Sequence, residues 1–173
     1  MKYGIYNYEE FVQTVLSPPS KIDLIGTAQA GLSGEIGELL EAMIENNDDN
    51  VIKELGDVLF YVAVGCLAVD CCFASLSLQD VKEEITIDDM AAVQINVSKF
   101  ADHVKKVKYQ GKLLDKKLQM ETLVKIVNGL TKQVCEKHGK ITIQQAIDTN
   151  VEKLQARYPN GFEVKNSENR VVA

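Results

Sequence analysis

A chain of 173 residues that is 46% hydrophobic and 25% charged has the material for one buried core without disulfide or metal staples. A net charge of −6, with few aromatics, argues against a dedicated nucleic-acid binder. No signal peptide is expected at the start, and the longest uncharged run, Val58 to Val69, is too short to span a bilayer.

Taken in order, the chain reads as a succession of helices. Tyr3, Tyr6 and Tyr8 precede a short helical pattern through Phe11, Val12, Val15 and Leu16, which Ser17-Pro18-Pro19-Ser20 stops. Asp23 is placed to cap a long helix in which Leu24, Ala28, Leu32, Ile36, Leu39, Leu40 and Met43 recur at helical spacing, as far as about Glu45. Gly26, Gly31, Gly34 and Gly37 lie inside that pattern. Each costs roughly 1 kcal/mol against alanine, so another helix or a ligand is expected to come close there.

After the polar turn 46–50, a helix from about Val51 to Ala74 is apolar nearly all round, the profile of a central element. A short helix around Leu78 to Glu84 is expected next, then one from Asp88-Asp89 to about Tyr109, ended by Tyr109-Gln110-Gly111-Lys112. Another follows from about Lys116 to Lys137, with Gly139 as its stop. Thr142 caps a last helix through about Arg157, broken by Tyr158-Pro159-Asn160-Gly161-Phe162, and the polar tail from Lys165 is expected to be loosely held. The four cysteines, Cys66, Cys71, Cys72 and Cys135, have no CxxC spacing and read as reduced thiols of a cytoplasmic protein.

The chemistry concentrates between Gly34 and Asp57. Glu35 and Glu38 stand three apart on the first long helix, and Glu54 and Asp57 on the second. Residues three apart share a helix face, so a helical hairpin can converge all four carboxylates on one hard cation. Glu54 and Asp57 carry the stronger argument, because a carboxylate on a buried helix needs a partner, a shifted pKa or a metal. Glu41 and Glu45 continue the first pair into an acidic stripe that a solvated face also carries. Neither His103 nor His138 has a glutamate three before it, which disfavours a di-iron bundle, and there is no GxxxxGK phosphate loop.

The two halves differ in charge and resemble each other in pattern. Residues 1–90 hold 4 basic and 17 acidic side chains, whereas residues 91–173 hold 15 and 8. An offset of 65 residues superposes the apolar patterns of the two long hairpins. It also sets Glu35, Glu38, Glu54 and Asp57 against Phe100, His103, Gln119 and Thr122. A duplicated hairpin with one equipped copy and one acid-depleted copy is the expectation. The organisation expected is a single all-α domain over 1–163, a four-helix core of two hairpins with added short helices. Residues 24–84 are its acidic half, 88–158 its basic pseudo-repeat and 164–173 a polar tail.

The pattern Glu35-x-x-Glu38, fifteen residues, then Glu54-x-x-Asp57, set in GLSGEIGELLEA and KELGDVLFYVA, resembles the MazG-like all-α nucleoside triphosphate pyrophosphohydrolases. The segment NVEKLQARYPNGF, Asn150 to Phe162, is similar to that family's closing helix and turn, and a fused tandem form is one version of the resemblance. It holds over about 24–80 and 140–163 and is poor over 85–138. It implies hydrolysis of an NTP or dNTP to monophosphate and pyrophosphate with Mg2+, Mn2+ being an alternative. Glu35, Glu38, Glu54 and Asp57 are then the metal ligands, one glutamate being a candidate general base. Asn150, Lys153 and Arg157, at i, i+3 and i+7, would be the phosphate contacts. Lys105, Lys106 and Lys108 would add only a solvated positive field, and Tyr61 and Gln29 are weaker candidates for sugar or base. Neither nucleic acid nor a membrane is an expected partner, and homo-oligomerisation is left open. The competing reading is a non-catalytic helical module binding nucleotides or a protein.

Overall fold

The computed structural model describes residues 3–77, 89–136 and 141–168. Among these the regular structure is helical: α1 (Tyr8–Val15), α2 (Pro18–Ile22), α3 (Leu24–Ile44), α4 (Asp48–Val69), α5 (Phe73–Ser77), α6 (Asp89–Gln110), α7 (Lys116–Leu130), α8 (Ile143–Arg157) and α9 (Val164–Glu168). None is long and apolar enough to cross a membrane. The expected helix around Leu78 to Glu84 lies outside the described residues, as do Asp88, His138 and Gly139.

Local chemistry sets the ends. The Asp23 carboxylate accepts from the Gly26 amide and opens α3, and Asn47 accepts from the Asn50 amide and opens α4 three residues before the expected start. Asp48 and Asp49 therefore form the first turn of α4, where the helix dipole favours negative charge. The same helix ends at Val69, short of Ala74, because Asp70 turns left-handed at φ 57° and Cys71 donates back to the Cys66 carbonyl. Pro18 and Pro19 both stop α1 and start α2, since proline suits a first helical turn and Ser17 supplies its cap. Thr142 and Gln145 exchange side-chain and backbone bonds in a capping box that opens α8. α7 runs into a π-helical turn over Thr131–Glu136, and the tail carries α9 where a loose segment was expected.

Packing follows from the apolar faces. α3 and α4 form the most extensive pair, α6 and α7 form a second, and α4 also meets α1, α7 and α8. The central position expected for α4 is observed: Val51, Leu55, Val58, Leu59, Val62 and Cys66 are all fully buried. Its outer partner α3 buries Ala28, Leu32, Ile36 and Leu39 and leaves Gly34, Gly37 and Glu38 exposed.

Candidate active site

The site starts from a missing side chain. A Cβ on Gly56 would lie 2.7 Å from the Ala146 carbonyl oxygen and 3.0 Å from Asn150 Cβ. Glycine there lets α8 lie directly on α4 beside Asp57. Asn150 Nδ2 then donates to Asp57 Oδ1 at 2.7 Å, and the Tyr8 hydroxyl donates to Asn150 Oδ1 at 2.8 Å. One turn further on, Lys153 forms an ion pair with Asp57. Tyr8 is fully buried, and burial first, then the Asp57 charge, pushes its phenol well above the ordinary range. It therefore remains an O–H donor at neutral pH.

Across from this chain of bonds, Glu35 and Glu38 on α3 meet Glu54 on α4. One carboxylate oxygen from each lies within 4.8 Å of the others. Burial, followed by repulsion from Asp57, Glu38 and Glu54, pushes Glu35 up to about 7, against the opposing pull of Lys153. Glu54 is raised for the same reasons, burial first and then Asp57 and Glu38. Three all-oxygen ligands on two packed helices suit a hard divalent cation that keeps part of its water shell. Such an ion would neutralise the repulsion that raises these two acids.

A cavity of about 340 Å³ opens onto this cluster. Glu35, Glu38 and Asp57 line it together with the cations Lys153 and Arg157 from α8. Phe60, Tyr61 and Phe162 line it as well, with the hydroxyls of Ser17, Ser20 and Thr27. It thus combines acids, cations and aromatic rings, the requirements of a ligand with a polyphosphate and a flat ring. Tyr61 owes its place to Gly31, where a Cβ would overlap its ring.

The structure distributes the sequence candidates unevenly. Glu35, Glu38 and Glu54 converge, whereas Asp57 stands beside them with its carboxylate directed to Asn150 and Lys153. Lys153 and Arg157 reach the cavity. Asn150 is 1% exposed, and its amide is spent on Tyr8 and Asp57, so it holds the site together from behind. Gln29 lies in a separate groove between α3 and α6. Lys105 and Lys106 pair with Asp102, and Lys108 with Asp23. Of the four glycines in α3, Gly26 and Gly31 have the expected close neighbours, and Gly34 and Gly37 face open space. Tyr8 was not singled out from the sequence. Its partner is 142 residues away, and no local pattern marks it.

No curated protein and no solved structure matches the chain. Residues 26–107 match the family model for the MazG nucleotide pyrophosphohydrolase domain. That segment contains all four acids and extends through most of α6, a region where the sequence resemblance was poor. It leaves Tyr8, Asn150, Lys153 and Arg157 outside. Residues 26–107, just under half of the chain, are thus similar to the MazG nucleotide pyrophosphohydrolase domain, whose all-α fold agrees with the helices described over that segment.

Proposed function

We propose that the protein hydrolyses a nucleoside triphosphate, NTP or dNTP, to the monophosphate and pyrophosphate with Mg2+. The observation that carries this reading is the convergence of Glu35, Glu38 and Glu54, the first two of which line the cavity that also receives Lys153 and Arg157. Glu35, Glu38 and Glu54 hold the cation, and Asp57 completes the acidic wall beside them. When bound, the metal polarises the phosphate under attack and lowers the pKa of a water.

The chain's own groups do the rest. Lys153 and Arg157 attract the phosphates and neutralise charge on the departing pyrophosphate. Asn150 and Tyr8 fix the Asp57 rotamer, so Lys153 is held at the cavity wall before substrate arrives. Phe60, Tyr61 and Phe162 give the base an apolar surface. One of the clustered glutamates accepts the proton of the attacking water.

The test is incubation with a panel of NTPs and dNTPs plus Mg2+, with identification of products. Pyrophosphate and monophosphate in equal amounts are expected, with Lys153→Met reducing turnover by roughly 10²–10³-fold, as for loss of a charge-stabilising donor. Orthophosphate and nucleoside diphosphate without pyrophosphate, or no turnover of any nucleotide, would refute the reading.

A further inference from the structure

The second hairpin has a cavity of its own. About 530 Å³ opens between α6 and α7, within the size range of small-molecule sites. Its lining includes His103, Gln119 and Thr122, the residues that the 65-residue offset sets against Glu38, Glu54 and Asp57. Where the first cavity has carboxylates, this one has an imidazole, an amide and a hydroxyl, and Lys99 and Lys106 also line it. Asp102 is its acid, and it is already paired with Lys105 and Lys106. A metal has little to bind here, whereas an anion has.

A buried amide points to more than an anion. Gln119 is 1% exposed, and its Oε1 has no hydrogen-bond partner. A buried acceptor left unpaired is costly and uncommon, and a ligand N–H would satisfy it. A glutamine amide presents an acceptor and a donor side by side, the arrangement that meets the edge of a nucleobase. Ile95 and Leu118, 45% and 46% exposed, add apolar surface for a ring at the same cavity. Lys99 makes no ion pair among the described residues, and its ammonium is available to a phosphate. His103 Nε2 accepts from the Asp115 amide, which leaves Nδ1 to carry the proton and donate.

We propose that the α6–α7 cavity is a second nucleotide site, independent of metal, that takes a nucleoside monophosphate with its base at Gln119 and its phosphate at Lys99. Retained chemistry in one hairpin and retained recognition in the other would give the chain a sensor for mononucleotides beside its metal centre.

The test is calorimetric titration of the full chain with AMP, GMP, CMP and UMP in EDTA, with inorganic phosphate as the control. At least one mononucleotide is expected to bind, about tenfold or more tighter than phosphate. Lys99→Ala, at an exposed position that does not threaten folding, and Gln119→Leu should each weaken it by about tenfold. Glu54→Gln should leave it unchanged. Absence of binding by all four mononucleotides, phosphate binding of equal strength, or binding that survives Lys99→Ala and is lost in Glu54→Gln would each overturn the proposal. The last result would place the ligand in the first cavity. Because EDTA removes the divalent cation, failure here leaves the hydrolytic reading standing, and failure of turnover leaves this site standing.

Discussion

The α3–α4 and α6–α7 hairpins carry different chemistry on similar pairs of helices. Both pair long helices across a short connection, and both open onto a cavity of a few hundred cubic ångströms. The first gathers three glutamates and receives α8. In the second, the residues at an offset of 65 from the four acids are Phe100, His103, Gln119 and Thr122. At the same offset Gly56, which admits α8, meets Glu121, whose side chain is exposed and faces Lys117 across one turn. The glycine-sized gap at Gly56 lets α8 bring its lysine and arginine against the first hairpin. The charged groups alone do not make the difference, since the backbone approach that brings α8 to α4 is as much a part of the site as the acids.

Substitutions on the first hairpin should break this contrast in graded fashion. Glu54→Gln removes one converging oxygen ligand, and turnover should fall by more than the roughly 100-fold that loss of a merely supporting partner costs. Its metal-free fold should be kept, as judged by circular dichroism, because the change relieves repulsion among acids. Gly56→Ala comes next. Its methyl group meets the Ala146 carbonyl, and overpacking of this kind costs about 1–3 kcal/mol in chemical denaturation. Because α8 must shift, turnover should drop as well. The smallest effect is expected for Tyr8→Phe, which leaves Asn150 Oδ1 without its donor and should cost about 1 kcal/mol of stability. A Tyr8→Phe variant with wild-type stability and unchanged KM and kcat would show that the hydroxyl does not hold Asn150 and Asp57 in place.

Much of the first hairpin was legible in the sequence because its signals are local. Helical spacing in α3, the all-round apolarity of α4, the Asp23 and Thr142 caps and the i, i+3 acid pairs each depend on neighbours within one or two turns. The ends of α4 were misjudged where single residues overrode the pattern, Asn47 by capping early and Asp70 by turning left-handed. The glycines of α3 were read as a single group, but two pack tightly and two face open space, a distinction that only tertiary contacts make. Asn150 shared a helix face with Lys153 and Arg157, so spacing grouped the three. What separates them is depth, set by Gly56 on another helix and by Tyr8 near the start of the chain.

The central claim is that metal chemistry belongs to the first hairpin alone. Calorimetric titration of Mg2+ or Mn2+ into wild type, Glu54→Gln and Gln119→Leu tests it most directly. Wild type and Gln119→Leu should bind the cation alike, and Glu54→Gln should lose that binding. Cation binding that persists in Glu54→Gln and disappears in Gln119→Leu would contradict the account.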